Sequence, residues 1–276
     1  MVIKESNQLY TQLNNGKFMP LLGLGTYNMF GEVVTDAVQT ALETGYRLID
    51  GAQMYHNEKE VGEGIRRSGI PRDEIFITTK IDNCNQGFDE TLHSYEKSVK
   101  DLGIEKVDLL LIHWPIKEKR ESTWKALEQL YINQQVGAIG TGNYLLPFLH
   151  ELETYCTYTP TVNQIEFSPF LNLTAELEYC EQHNICLQCY TPLMRGQKHD
   201  DPRIVDVANK FGKTPAQIIL RWAVQQGIST IPKSENPVRI KENFDIFNFE
   251  LSETDLHILN NLNENFRIVD NPIDML

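Results

Sequence analysis

Short apolar runs alternate along the chain with longer stretches whose apolar residues recur at helical spacing. The runs predict strands at LLGLGT (21–26), RLIDGA (47–52), IFITTK (75–80), VDLLLIHW (107–114), VGAIGTGN (136–143), TVNQIEF (161–167), CLQCYTPL (186–193) and ISTIPKS (228–234). The helical spacing covers about Val33–Thr44, Asn57–Arg67, Asp89–Leu102, Glu121–Gln134, Leu146–Tyr155, Thr174–Asn184, Pro215–Gln226 and Pro237–Phe244. Eight strands, each followed by a helix, predict an α/β fold of the closed (β/α)8 TIM-barrel type. Ahead of them, LYTQL and KFMP flank Asn14-Asn15-Gly16, which reads as an N-terminal β-hairpin over Leu9–Pro20 turning at Asn15-Gly16. Two extra helices fall outside the count, Pro202–Phe211 and Ser252–Leu262, the second opening on a capping box of Ser252 and Asp255. An open doubly wound sheet would carry G-x-G-x-x-G after its first strand, and Gly23-Leu24-Gly25-Thr26-Tyr27-Asn28 lacks the third glycine. The barrel is therefore the better reading.

No Gly/Ser/Pro-rich linker interrupts the alternation, and 276 residues with 41% apolar content can bury one large core, so residues 1–276 are expected to form a single domain. A formal charge of −13 repels phosphate backbones, and no Lys/Arg run exceeds Arg66-Arg67, which argues against nucleic acid as a partner. The longest apolar run, Val107–Trp114, contains Asp108 and His113 and falls short of a membrane span, while MVIKESNQ lacks the apolar segment of a signal peptide. The expectation is a cytoplasmic monomer without a membrane partner. Five cysteines suit a reducing compartment better than a disulfide framework. Cys180, His183, Cys186 and Cys189 stand three apart, as zinc ligands can. Cys180 and His183 fall in a predicted helix, however, and Cys186 and Cys189 in a predicted strand, where residues three apart face opposite ways. They read as core cysteines, and no metal is expected.

Active sites of barrels lie at the carboxyl ends of the strands, so those ends are where chemistry is sought. In GYRLIDGAQMYHNEKEVG (45–62), Asp50 closes a strand and Tyr55 follows in the connection to a helix; Lys80 closes the next strand and His113-Trp114 the one after. Each has a plainer reading: a carboxylate that ties down a loop, a packing tyrosine, a solvated lysine, a core histidine. A carboxylate, a phenol, an ammonium and an imidazole at one rim are nonetheless a set suited to proton transfer.

The sequence resembles the aldo-keto reductase family over nearly its whole length, from LGLGT at Leu22 to IPKSENPVRIKEN ending at Asn243, and is close to short microbial members such as the diketogluconate reductases. The motifs that carry the likeness are the 45–62 stretch, TTK ending at Lys80, LLIHWP ending at Pro115, VNQIEFSPF (162–170), and IPKS with Arg239, Glu242 and Asn243 behind it. The resemblance implies NADPH-dependent reduction of aldehydes or ketones to alcohols by a catalytic tetrad of Asp50, Tyr55, Lys80 and His113, with Tyr55 as proton donor. Reduction leaves charge on oxygen, so a donor must stand within hydrogen-bond reach; a neighbouring ammonium, Lys80, should lower the phenol's pKa. By the same resemblance Gly25 and Thr26 bind the cofactor, Asn143 and Gln164 hold its nicotinamide carboxamide and Tyr190 stacks on its ring. Lys233, Ser234 and Arg239 meet the 2'-phosphate, and Glu242 and Asn243 the adenine. Tyr27, Trp114, His113 and Asp82 line the place of a small carbonyl substrate.

Three positions depart from the family pattern: Gly142 stands for a usual serine, Asp82 for an aromatic and Ser168 for a histidine. They imply weaker cofactor binding and a more polar pocket. Restoring the serine should tighten NADPH by roughly 2- to 12-fold, unless Gly142 holds a backbone conformation closed to serine. Short connections after the fourth strand and the last helix imply an open pocket and a broad substrate range. Two other functions fit parts of the pattern, an aldolase-like barrel with Lys80 as Schiff base and a non-catalytic NADPH-binding sensor. The complete tetrad favours reduction.

Overall fold

Alternation within each strand sorts side chains onto two sides of one sheet. Leu48, Phe76, Leu109, Leu111, Ala138, Val162 and Ile231 join one apolar cluster, while Ile49, Ile77, Leu110, Ile112, Ile139 and Ile165 belong to a larger cluster shared with the helices. One set fills a lumen and the other packs the helical shell, as a closed barrel requires. The structure is a computed structural model that describes residues 8–275 and the main chain of Val2–Ile3. In chain order its elements are β1 (Val2–Ile3), β2 (Leu9–Gln12), β3 (Phe18–Pro20), β4 (Leu24–Gly25), α1 (Glu32–Thr44), β5 (Leu48–Asp50), α2 (Glu58–Arg67), β6 (Phe76–Ile81), α3 (Phe88–Leu102), β7 (Leu109–Ile112), α4 (Arg120–Ile132), β8 (Ile139–Gly142), α5 (Leu146–Glu153), β9 (Val162–Glu166), α6 (Thr174–Gln182), β10 (Cys186–Tyr190), α7 (Pro202–Phe211), α8 (Pro215–Gln225), β11 (Ser229–Thr230), α9 (Pro237–Phe244) and α10 (Glu253–Asn260).

Strands β4 to β11 lie side by side in chain order, all parallel. The ring closes where the first meets the last: Leu22 pairs with Thr230 and Gly25 with Lys233, and the Gly23 amide donates to the Thr230 carbonyl at 2.9 Å. The expected (β/α)8 barrel, hairpin and two extra helices are all present. Boundaries differ only at the ends. Helices α1, α3 and α4 start one residue earlier than the pattern predicts, and α4, α5, α6 and α10 end two residues sooner, within the ordinary fraying of helix ends. Local chemistry explains the starts of the last helices. Thr214 and Gln217 form a capping box with Pro215 at the first helical position, Asn236 caps α9 ahead of Pro237, and the expected Ser252/Asp255 box opens α10.

The hairpin's Leu13 and Met19 sit in the lumen cluster among residues from the beginnings of the strands. At its turn, the Asn14 and Asn15 side-chain amides donate to the carbonyls of Pro160 (3.0 Å) and Gly137 (3.2 Å). The hairpin therefore plugs the amino-terminal mouth and leaves the carboxyl-terminal mouth for the site. Among the described residues no helix is long and apolar enough to cross a membrane. Cys180 lies on α6 and Cys186 and Cys189 on β10, all as free thiols, and no group of three or more His, Cys, Asp or Glu among the described residues is placed to hold a metal ion.

Met19 is fully buried, so Met19→Ala should remove its packing and open a cavity in the plug. Urea unfolding is expected to show a loss of about 2–5 kcal/mol. A loss below roughly 0.5 kcal/mol, the range of exposed positions, would contradict the plug.

Candidate active site

The phase that turns Leu48, Phe76, Leu109 and Val162 into the lumen turns Asp50, Lys80, His113 and Gln164 the same way, one or two pleats further on. Four polar side chains, from β5, β6, the residue after β7, and β9, thereby meet at the carboxyl rim. Lys80 Nζ donates to Asp50 Oδ1 (2.5 Å), the Gly51 carbonyl (2.9 Å) and the Tyr55 hydroxyl (3.3 Å), which engages all three ammonium hydrogens. The Lys80 and Asp50 side chains are 1% and 2% exposed. Tyr55 ends a 3-10 turn, Gln53–Tyr55, and its ring stands edge-on to Tyr27 and His113 with centroids 5.3 and 5.6 Å away. The structure thus brings Asp50, Tyr55, Lys80 and His113 together.

Burial sets the electrostatics of this group. It pulls the Lys80 ammonium down, but Asp50 and then Tyr55 outweigh it and hold Lys80 above the ordinary lysine value. It pushes the Asp50 carboxyl up, against the Lys80 charge and hydrogen bonds from Lys80 and Gln164. Burial likewise raises Tyr55 above a free phenol; Lys80 opposes this without overcoming it. That corrects the expectation of a lowered phenol: burial disfavours the phenolate more than the Lys80 charge favours it, and the Asp50 carboxylate beside that ammonium offsets part of its effect. His113 is held well below the ordinary imidazole value, first by burial and then by the Lys80 charge, so it is neutral at pH 7. Its Nδ1 is buried without a partner, which leaves Nε2 as the nitrogen for a ligand.

Amides surround the tetrad. Gln164 Nε2 donates to both Asp50 Oδ2 and Gln188 Oε1, each at 2.7 Å. Asn143, in a left-handed conformation that asparagine tolerates, donates from Nδ2 to the His113 carbonyl (2.8 Å) and accepts at Oδ1 from the Tyr190 hydroxyl (2.6 Å). Thr26 uses both its amide and its hydroxyl on the Asp50 carbonyl, at 3.0 and 2.9 Å. Gly25 sits on the closing seam, where an added Cβ would stand 2.8 Å from the Ile231 carbonyl oxygen. Gly142 answers the question its sequence position raised. Its φ is not among the positive values, so the backbone is open to other residues, but a Cβ would lie 2.8 Å from the carbonyl oxygens of both Ile112 and His113. The glycine fills a space constraint between β7 and β8, and the expected gain from serine is corrected on that ground.

The remaining predicted residues make no hydrogen bond to the tetrad. Lys233 and Arg239 are exposed; Lys233 Nζ is 3.2 Å from Glu235, and Arg239 has no ion pair among the described residues. Ser234 and Asn243 are buried. Glu242 is partly committed elsewhere, accepting from the Thr214 hydroxyl at 2.8 Å. Asp82 accepts from the Cys84 amide at 3.2 Å, so it caps the turn after β6 as well as bordering the mouth. Trp114 is half-buried and Tyr27 54% exposed. The tail beyond α10 is short yet pinned: the amides of Ile268 and Val269 donate to buried Glu166 at 2.6 and 3.2 Å, and the Met275 carbonyl accepts from Arg120 at 3.3 Å.

Sequence reasoning missed several supporting groups. Gln53 accepts from the Asp82 amide and Asn85 Nδ2, both at 2.9 Å, which ties the Tyr55 turn to the end of β6. Buried Glu58 accepts from Thr79 (2.6 Å) and Ser98 (3.2 Å) hydroxyls behind Lys80, and burial pushes its carboxyl up. Asn236, directly before Pro237, carried the cap signal unread. Gln188 was readable only as a polar residue within an apolar strand.

The model of the Aldo/keto reductase family matches residues 21–264. The chain is 44% identical over 264 residues to a 9,11-endoperoxide prostaglandin H2 reductase of Trypanosoma cruzi, covering 94% of this chain and 93% of that protein. It is also 44% identical over 266 residues to the glyoxal reductase of Bacillus subtilis, covering 96% of each. Among solved structures, a variant of Gox0644 in complex with NADPH superposes with a TM-score of 0.92 at 36% identity, covering 96% of this chain and 98% of that one. The protein belongs to the aldo/keto reductase family. The class is therefore that of the barrel oxidoreductases.

Gly142→Ser should cost about 1–3 kcal/mol, as overpacking does, and tighten no cofactor. An unchanged urea midpoint with tighter NADPH binding would show that the two carbonyls give way.

Proposed function

We propose that the protein reduces small aldehydes or ketones to alcohols, with Tyr55 as the proton donor. The observation that carries this reading is the contact chain from Asp50 through Lys80 to the Tyr55 hydroxyl, whose ring is flanked by His113 and Tyr27. The enzyme is an NADP-dependent oxidoreductase, and NADPH, when bound, supplies the hydride.

The chain's own residues supply the rest. As the carbonyl is reduced its oxygen gathers negative charge, and a donor within hydrogen-bond reach lowers that barrier. Tyr55, raised by burial, stays a phenol at neutral pH and so has a proton to give. The phenolate left behind faces the Lys80 ammonium, which Asp50 keeps in place and charged. Neutral His113 orients the same oxygen through Nε2. Around the nicotinamide end, the residues fit a carboxamide. Both hydrogens of Gln164 Nε2 are engaged, so its Oε1 is the atom free to accept an amide N–H, while Asn143 keeps a second Nδ2 hydrogen to donate. Exposed Lys233 and Arg239 beside Ser234 and the Asn236-capped start of α9 suit the 2'-phosphate. Glu242 and Asn243 fall on the adenine side. Gly25 and Thr26 close the seam beneath the cofactor, Tyr190 flanks its ring, and Asp82 adds a carboxylate to the rim of the substrate pocket. A Schiff-base role for Lys80 is disfavoured, because an ammonium with three partners and a raised pKa lacks the free lone pair that attack requires.

Tyr55→Phe keeps the ring and removes only the donor. With glyoxal, the compound named in a relative's activity, and other small carbonyls, kcat is expected to fall about 10²-fold or more while NADPH affinity holds. Wild-type rates in this variant would overturn the assignment. Arg239→Ala should weaken NADPH far more than NADH, by about 1.5–3 kcal/mol for a charge-assisted contact; equal weakening in calorimetric titrations would make Arg239 a structural residue.

The pH profile follows from the same shifts. His113 protonates only well below the ordinary imidazole value and Tyr55 ionises only above that of a free phenol, so both stay in the working form between them. Reduction, measured as kcat/KM, is expected to be flat from about pH 6 to 8. An inflection near the free imidazole value that His113→Gln abolishes would contradict a neutral, buried His113.

A further inference from the structure

Gln188 and Ser229 are polar residues of the barrel strands, and both are fully buried. They belong to neighbouring strands and face each other in register, as Gln188 faces Gln164. Gln188 Nε2 donates to Ser229 Oγ at 2.9 Å, and Ser229 Oγ donates to the Pro20 carbonyl at 3.3 Å. Gln188 Oε1 accepts from Gln164 Nε2, which also donates to Asp50 Oδ2.

The direction of this chain is fixed at both ends. The Pro20 carbonyl can only accept, so the Ser229 hydrogen points to it and Ser229 Oγ must accept from Gln188. The nitrogen end of Gln188 therefore faces Ser229 and its oxygen end faces Gln164. At the other end Asp50, paired with Lys80, requires the nitrogen of Gln164. Two acceptors on two hydrogens hold the Gln164 amide plane, whereas one alone would let it swing about a single bond.

We infer that Gln188, anchored through Ser229 to Pro20 of the plugging hairpin, is a positioning residue that aims Gln164 Oε1 at the nicotinamide carboxamide of the cofactor. The inference rests on the reading of Gln164 as a carboxamide contact. Gln188 touches neither cofactor nor substrate; it acts through Gln164.

The test compares the binding of NADP⁺ and of its 3-acetylpyridine analogue, which carries a ketone in place of the carboxamide and so has no N–H for Gln164 Oε1 to accept. Isothermal titration of the cofactor-free protein reads both affinities, and a melting curve checks folding. Gln188→Met preserves volume and removes the acceptor. It should raise the Kd for NADP⁺ by about 2- to 12-fold, the span of one neutral hydrogen bond, and leave the analogue unchanged. Equal weakening of both ligands, or of neither, would overturn the inference. Gln164→Leu separates the layers of the argument. If it too weakens both ligands equally or neither, the carboxamide reading fails; if it weakens NADP⁺ selectively and Gln188→Met does not, only the positioning role falls. Should Gln188→Met lose its melting transition, Ser229→Ala decides, with a smaller selective loss expected and an unselective or absent one contradicting it.

Discussion

A buried lysine bonded to a buried aspartate is the interaction on which the rest of the site depends. Desolvating two charges is expensive, and such a pair persists only where its remaining donors and acceptors are satisfied. Here they are. Lys80 has three acceptors, and Asp50 receives Lys80 on one oxygen and Gln164 on the other. Gly51, Tyr55 and Gln164 are thus held by a single pair, and Thr26 fixes the main chain of Asp50 from the first barrel strand. Removing either charge would strand its partner in a dry lumen, at a cost of about 3–5 kcal/mol. A pair of that kind adds little net stability, and its value is the placement of an ammonium beside a phenol.

The barrel makes the pair possible by phase alone. Successive strands present the same face to the lumen, so apolar side chains near their beginnings and polar ones near their ends form layers. The hairpin closes the apolar end with Leu13 and Met19, and the polar end is left at the opposite mouth. Water is kept from Lys80 and Asp50 by packing below and by Tyr55 and His113 above. One consequence is that burial, more than any single charge, governs how Tyr55, Asp50 and His113 titrate.

What could be read in the chain follows from this. Strand ends at Asp50, Lys80 and His113 are local facts, visible as apolar runs that stop on a polar residue, and the barrel follows from their count and order. The helix caps were nearly as legible, Ser252 more so than Asn236. Facts that need a neighbouring strand were not. The meeting of Gln164, Gln188 and Ser229 depends on register between β9, β10 and β11. The reason for Gly142 lies in two carbonyls contributed by β7 and the residue after it, and no pattern around position 142 displays them. Asp82 and Glu242 have partners that divide their capacity, one two residues away and the other at the start of α8, which only side-chain geometry reveals. The direction of the Tyr55 shift required the degree of burial, and a motif does not state it.

If Asp50 acts on Tyr55 through Lys80, a double-mutant cycle in single-turnover reduction will show the two residues coupled. Asp50→Asn, Tyr55→Phe and the double variant are compared in the rate of NADPH oxidation by bound carbonyl. Asp50→Asn is expected to slow the enzyme strongly when Tyr55 is present and to add almost nothing once the Tyr55 hydroxyl is gone. Two losses that simply multiply in the double variant would contradict it, because Asp50 would then be acting on something other than the Tyr55 proton.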